Sequence, residues 1–270
     1  MIYDCFIFYN EMNMLKYRLK VLENIVDKFI LVESSYTFSG NKKDLYYAKL
    51  LETDLEFANK YKNKIIHVIV NDMPNTKNPW DNEWHQRNCI NRGLETVEHD
   101  PNDLILISDC DEIPRPSLVE KLQQDAYSQN NKRYFTLHQD MYYYDINHFI
   151  SDNCAAAKAV YWDKYCEIYG GKTPQLCRED REHKCEIITG AGWHLSYFGD
   201  MKFISNKIKN FSHQELNIPE HTDINILENR KNNHIEVFGY STPVLKFIPI
   251  EENTNLPPFT ELLPHQILDE

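Results

Sequence analysis

The stretch ILISDCDEIP, residues 105–114, places a run of apolar residues directly before a dense group of carboxylates. An apolar run bounded by turn-forming residues is typical of a buried strand in a parallel sheet. Open α/β sheets bind ligands in the crevice beyond the carboxyl ends of their strands, which is where Asp109, Asp111 and Glu112 fall. Asp109 and Asp111 point the same way in an extended chain, and two close carboxylates favour a hard divalent cation. The same residues also suit an acidic turn that caps a helix beginning near Ser117, so the motif alone leaves both interpretations open.

Strand-like and helix-like segments alternate on both sides of this stretch. The apolar patterns predict strands at 2–8, 29–32, 65–70, 104–108, 134–144, 156–162 and 193–198, and helices at 15–26, 50–60, 84–97, 117–127 and 201–210. Such alternation indicates βαβ units, and therefore an α/β fold with a mostly parallel sheet flanked by helices. Residues 163–185 are charged and are expected to be irregular. We expect one domain over residues 1–220, with a proline-rich extended arm, residues 221–270, packed on it.

Composition excludes several classes of protein. The net charge of −12 comes from 29 basic and 41 acidic residues, which disfavours a nucleic-acid partner. The seven cysteines form no C-x-x-C pair, so a structural zinc site is not expected. No segment is apolar enough over about 18 residues to span a membrane. An odd number of cysteines and no recognisable signal peptide predict a soluble, cytoplasmic protein.

Three further blocks carry candidate functional residues. Arg87 opens the helix before the acidic stretch and suits a carboxylate or phosphate contact, or a solvated first helical turn. In the Gly-rich block 190–196, the glycines allow a close backbone approach to a ligand, and His194 is either a metal ligand or a structural histidine. His213 and Glu215, two residues apart, share a face if the chain is extended there, whereas a helix end also accounts for the histidine.

Short sequence blocks from residue 4 to about residue 215 occur in an order that is typical of one family. They are Asp4-Cys5-Phe6, Asn10-Glu11, Leu15, Arg18, Val32-Glu33-Ser34, Thr37-Phe38-Ser39-Gly40, Lys43, Glu83, Gln86-Arg87, residues 107–116, Gly192-Trp193-His194, Ser196, Lys207 and Ser212-His213. Together they resemble glycosyltransferase family 17, which contains the β-1,4-mannosyl-glycoprotein 4-β-N-acetylglucosaminyltransferases. The resemblance implies a GT-A fold, a nucleotide-sugar donor, a glycan acceptor and a divalent metal ion.

The resemblance also implies a metal site at the acidic motif. Asp111 is expected to bind Mn²⁺ or Mg²⁺ directly, and Asp109 to bind the metal or the donor ribose. Oxygen ligands with one imidazole suit these ions better than zinc. We expect His194 as the third protein ligand, with His213 as the alternative.

Other residues are expected to hold the donor, most simply UDP-GlcNAc. Glu33 is placed to contact the nucleotide base or ribose, and Lys207 to contact phosphate. Arg87 and Lys43 either balance the diphosphate or fix the acidic loop. Trp193 offers a stacking face for a sugar.

Inverting transfer also needs a general base near the acceptor hydroxyl. The candidates are Glu215 and then Glu112, with Asp140 and Asp180 behind them. Two other functions stay open at this point. One is a metal-dependent phosphohydrolase, and the other is a non-catalytic glycan-binding protein on a transferase fold.

Overall fold

A computed structural model describes residues 1–74, 76–126, 132–180, 185–241 and 244–264, and it has a mixed α/β fold built on one sheet. Its strands are β1 (Ile2–Phe8), β2 (Lys28–Ser34), β3 (Ile65–Val70), β4 (Leu104–Asp109), β5 (Glu112–Pro114), β6 (Tyr134–Tyr143), β7 (His148–Tyr161), β8 (Glu186–Ile188), β9 (Gly192–Ser196) and β10 (Lys246–Phe247). Its helices are α1 (Met12–Leu22), α2 (Tyr46–Thr53), α3 (Leu55–Tyr61), α4 (Pro79–Asn88), α5 (Ile90–Leu94), α6 (Pro116–Asp125), α7 (Trp162–Tyr169), α8 (Pro174–Glu179), α9 (Met201–Asn210), α10 (Pro219–Thr222) and α11 (Ile224–Asn232). None of these helices combines the length and the apolar character that crossing a bilayer requires. The predicted α/β class is confirmed.

The first half of the sheet is parallel, in the order β3-β2-β1-β4. Every residue of β1 is buried, as expected for a central strand covered by helices on both faces. Asp4 is the one charged residue within β1, and the buried guanidinium of Arg18 on α1 pairs with its carboxylate. This half places the carboxyl ends of β1 and β4 side by side.

The second half of the sheet is mixed, so the predicted parallel arrangement applies to the first half only. β7 runs antiparallel to both β4 and β6, and β9 runs parallel to β6. The short strand β5, which directly follows the acidic turn, pairs antiparallel with β9. This pairing places Glu112 opposite His194, so the Gly-rich block lies beside the acidic stretch in the sheet.

Several helix boundaries differ from the sequence prediction for local reasons. The helix expected at 50–60 is divided into α2 and α3, because the Asp54 side chain caps α3 by accepting the Phe57 N–H. α4 begins five residues before the predicted start, with Asn78 as its cap and Pro79 in its first turn. The segment expected to be irregular contains α7 and α8, and the left-handed Gly170 ends α7. Residues 127 and 181–184 of the predicted segments lie outside the described residues.

Part of the predicted C-terminal arm packs against the sheet. The Tyr17 hydroxyl donates a 2.5 Å hydrogen bond to the carbonyl of Pro258, and Trp193 Nε1 donates one of 2.8 Å to Asn255. Leu263 is fully buried in the main core. The arm also contains a helix, α11, which the sequence pattern did not indicate. Residues 242–243 and 265–270 lie outside the described residues, and a domain boundary at residue 220 stays a prediction.

Gly192 is the point where β9 comes closest to the acidic segment. Its φ is +155°, and a Cβ atom there would lie 2.2 Å from the carbonyl oxygen of Ile113. Gly190 also has a positive φ, +62°, but a Cβ atom on it would have no neighbour within 4 Å. The glycines were expected to allow a close approach of the backbone to a ligand. In the structure, Gly192 makes a close approach to the backbone of β5.

We expect Gly192→Ala to destabilise the fold far more than Gly190→Ala. The first substitution forces backbone atoms of two paired strands apart, which costs about 3 kcal/mol, whereas the second costs about 1 kcal/mol of left-handed strain. Urea unfolding followed by circular dichroism measures both changes. Equal losses would contradict the tight β5–β9 contact.

Candidate active site

An open cleft of about 1090 Å³ lies at the carboxyl ends of β1 and β4. Its floor includes Asp109 and Asp111, and its walls come from α4, α8, β6, β9 and the end of α9. A second pocket of about 420 Å³ shares part of this lining, including Phe38, Lys207 and Phe211. The position agrees with the general rule that α/β sheets bind ligands beyond their strand ends.

The fully buried side chain of Arg18 binds the backbone of the acidic turn. Its Nη1 donates hydrogen bonds to the carbonyl oxygens of Asp109 (2.9 Å), Cys110 (3.2 Å) and Glu112 (2.7 Å). The same guanidinium binds both carboxylate oxygens of Asp4. One charged side chain therefore fixes the backbone of the turn to β1.

Both carboxylate oxygens of Asp109 are taken by arginines. Arg87 Nη2 lies 2.9 Å from Oδ1, and Arg178 Nη2 lies 2.7 Å from Oδ2. Burial acts against the charge of this carboxylate, but Arg178 and Arg87 outweigh it and hold the pKa of Asp109 well below its usual range. Asp109 therefore binds two cations of the protein, while its partly exposed carboxylate still lines the cleft. Arg87 thus binds the acidic segment. The two roles expected for it were to fix this segment or to balance the charge of a diphosphate.

Glu112 is fully buried and serves the same network. Arg178 donates to its Oε2 at 2.6 Å and its Oε1 at 2.8 Å, and the Asp109 N–H donates to Oε2 at 2.8 Å. Such a carboxylate has no contact with the cleft, because Glu112 is not part of its lining. This position does not suit the general-base role expected for Glu112.

Asp111 also lines the cleft, and His194 lies beside its carboxylate. Lys207 Nζ lies 2.7 Å from its Oδ2, and His194 Nε2 lies 3.6 Å from its Oδ1. Burial disfavours the charged form of His194, but the Asp111 carboxylate outweighs it and, with Cys154, raises the pKa of His194 to about 9. The Cys154 sulfur, 3.1 Å from Nδ1, fixes the ring so that Nε2 faces Asp111.

The residues present suit a metal ion with two protein ligands. No group of three or more His, Cys, Asp and Glu side chains within the described residues is arranged to hold one. Asp111 and His194 lie side by side and both line the cleft, so they are the residues that would hold such an ion. A carboxylate oxygen and an imidazole are suitable donors for Mn²⁺. His213, the alternative ligand, lies at the rim and is hydrogen-bonded to Glu215.

Glu33 and Lys43 form a buried pair beside the smaller pocket. Glu33 is fully buried and accepts hydrogen bonds from His67 Nε2 at 3.0 Å and the Tyr47 N–H at 3.2 Å. Lys43 Nζ lies 3.5 Å from Glu33 and lines the pocket, whereas Glu33 does not. Glu33 therefore holds Lys43 in place, and Lys43 rather than Glu33 lines the pocket.

Three other expected residues lie away from the cleft. Strand alternation turns Trp193 away from the side of His194, and its buried ring lies 4.3 Å from the guanidinium of Arg115. Asp140 is hydrogen-bonded to Asn255, and burial raises the pKa of its carboxyl to about 6. Asp180 accepts a hydrogen bond from Tyr169. None of the three is among the residues that line the cleft.

Comparison with protein families identifies the family of this chain. The model of glycosyltransferase family 17 matches residues 1–232. This chain belongs to that family. It is therefore a transferase enzyme, with the α/β fold described above, and a glycosyltransferase acts on a donor and an acceptor. No curated protein is similar enough to match.

The chain is also distantly similar to solved structures. A mannosyltransferase from Pyrobaculum calidifontis, in complex with GDP-Man and Mn²⁺, is 11% identical with a TM-score of 0.40, over 64% of this chain and 48% of that one. The match thus spans about half of the mannosyltransferase. A 4-diphosphocytidyl-2C-methyl-D-erythritol synthase from Anaerococcus prevotii is 14% identical with a TM-score of 0.38, over 70% of this chain and 86% of the other. We draw no functional conclusion from such distant likeness.

Sequence reasoning missed Arg178 and the structural role of Arg18 in this family 17 site. Arg18 was part of the family pattern, but nothing in its neighbourhood indicated that it binds carbonyls 91 to 94 residues away. Arg178 lies on the short helix α8, in a segment without a periodic apolar pattern. A buried glutamate such as Glu112 requires a cation, but the sequence does not say which one.

We expect Arg178→Met to lower the free energy of unfolding by about 3–5 kcal/mol, because Glu112 would stay buried without its partner. The matched control is Arg92→Met, which removes an exposed pair with Asp72 and costs about 1 kcal/mol or less. Urea titration measures both. A further Glu112→Gln change should restore part of the loss, and a loss no greater than that of the control would contradict the buried network.

Proposed function

We propose that this family 17 enzyme transfers a sugar from a nucleoside diphosphate sugar, most simply UDP-GlcNAc, to a glycan hydroxyl with inversion at the anomeric carbon. The observation that carries the proposal is Asp111 in the cleft, with Lys207 on one carboxylate oxygen and His194 facing the other. A fixed ammonium beside a metal-binding pair is suited to a diphosphate leaving group. The choice of GlcNAc rests on the family alone.

The two adjoining pockets suit the two parts of such a donor. The smaller one, of about 420 Å³, has the aromatic residues Tyr36, Phe38 and Phe211 in its lining and Lys43 at its side, which suits a nucleoside. Lys207 lines both pockets, so a diphosphate between them would lie against its ammonium group.

Transfer would proceed by a single displacement. The acceptor oxygen attacks the anomeric carbon, and the bond between this carbon and the phosphate oxygen breaks, leaving the nucleoside diphosphate. A divalent cation held by Asp111 and His194 would supply positive charge to that leaving group. Lys207, whose pKa is raised above its usual value because Asp111 outweighs burial, keeps its own charge beside it.

A phosphohydrolase is disfavoured by the same contacts. Such an enzyme uses several converging carboxylates to hold its metal ions. Here the carboxylates of Asp109 and Glu112 are bound by Arg87 and Arg178, which leaves Asp111 as the acidic ligand of the motif.

We expect the protein to release the nucleoside diphosphate from one sugar donor in a panel of UDP- and GDP-sugars with Mn²⁺. Asp111→Asn should lower this turnover at least about 100-fold, because it removes both the metal ligand and the partner of Lys207. The control is Asp163→Asn, an exposed carboxylate paired with Arg133, which should leave turnover unchanged. Release of inorganic phosphate without preference for a sugar would instead indicate a phosphohydrolase, and sugar binding without turnover a glycan-binding protein.

Trp80 on α4 offers a test of the acceptor side, because it lines the cleft near His213. We expect Trp80→Ala to raise the KM for the acceptor about tenfold, equivalent to about 1.4 kcal/mol, and to leave the donor KM unchanged. Trp84 lies on the same helix but outside the cleft lining, with 40% of its surface exposed. Steady-state kinetics of Trp84→Ala should match the wild type, and equal effects of both substitutions would contradict an acceptor contact at Trp80.

A further inference from the structure

The acceptor hydroxyl must lose a proton, and three of the carboxylates that line the cleft are already bound by cations of the protein. Asp109 is bound by Arg87 and Arg178, and Asp111 by Lys207. Glu83 accepts from Arg87 at 2.8 Å and from the Ser212 hydroxyl. A carboxylate that is bound by cations is a poor proton acceptor, because its charge is already stabilised. Glu11, which also lines the cleft, accepts the backbone N–H groups of Tyr9 and Asn10 on its Oε2. The general base is therefore better supplied by a cleft residue that no cation of the protein binds.

His213 lies at the rim of this cleft and has a carboxylate partner of its own. Its Nδ1 lies 2.7 Å from Glu215 Oε1, although the two residues were expected to serve separately as a metal ligand and a base. The ring stands edge-on to Trp80, with 4.5 Å between the ring centroids, so its plane is fixed from a second side. With Nδ1 bound to Glu215, Nε2 is the ring nitrogen that remains for a substrate.

We propose that His213 is the general base of the transfer reaction and that Glu215 is its positioning residue. The inference rests on the proposed function. It assigns to His213 the role of general base that was expected for Glu215. An oriented carboxylate that accepts the Nδ1–H selects the tautomer with a free electron pair on Nε2. Glu215 itself is exposed and does not line the cleft, so it acts through the ring.

In this step, Nε2 of His213 takes the proton of the acceptor hydroxyl as the oxygen bonds to the anomeric carbon. The electron pair of the broken carbon–oxygen bond leaves with the nucleoside diphosphate. The imidazolium then passes its proton to solvent, which reaches it because about half of the His213 side chain is exposed. No oxidant or further reactant is needed.

The test uses His213→Ala in the full chain, with the donor and acceptor that the wild type accepts. We expect kcat for transfer to fall about 100-fold or more, as is usual on loss of a general base, while the Kd for the nucleoside diphosphate stays the same. Added imidazole should restore transfer in proportion to the concentration of its free base. A merely structural role of His213 would not produce this rescue.

Glu215→Gln tests the positioning role, with Glu220→Gln on α10 as the exposed control. Loss of one exposed charged hydrogen bond should lower kcat about threefold to tenfold without changing the KM for the donor, and the control should match the wild type. Wild-type kcat in His213→Ala, or a loss that imidazole does not rescue, would overturn the inference and leave the transferase in place. A wild-type protein that consumes no donor would overturn the proposed function itself.

Discussion

The site depends on the neutralisation of a buried acidic turn by cations from four separate elements. Arg18 binds the carbonyl groups of the turn, Arg87 and Arg178 bind its first carboxylate, and Lys207 binds Asp111. Close carboxylates cannot stay charged and buried without such partners. Neutralisation also separates the roles within the motif, because Glu112 is buried away from the cleft, Asp109 is bound by two arginines, and Asp111 lies beside Lys207 and His194.

The topology of the sheet explains why these cations converge. Parallel β1 and β4 bring α1 and α4 to the same edge of the sheet, so Arg18 and Arg87 arrive from opposite sides of the acidic turn. Antiparallel pairing of β5 with β9 then places His194 opposite Glu112. Gly192 permits this pairing, because a larger residue would collide with the backbone of β5.

Local patterns predicted the parts of this protein that depend on local physics. Buried strands such as β1 and β4 are mostly apolar, and α9 carries a clear apolar face, so their positions follow from the sequence pattern. The family pattern selected Asp111, His194 and Lys207. The role of Arg178 is set by an ion pair with a residue 66 positions earlier, to which no periodic pattern responds. Strand alternation explains why Trp193 is buried, but only once the structure shows that His194, the next residue in β9, faces the cleft.

The long separation within the Arg178–Glu112 pair has a consequence for how the chain acquires its native state. The acidic turn is synthesised well before α8 and α9, and Lys207 lies 96 residues beyond Asp111. Contacts so distant in sequence form late in folding, because closing large loops costs entropy before the contacts repay it. During synthesis on the ribosome, the acidic turn thus precedes Arg178 and Lys207, two of its four cations, and the edge of the sheet at β4 stays unpaired until β7 emerges.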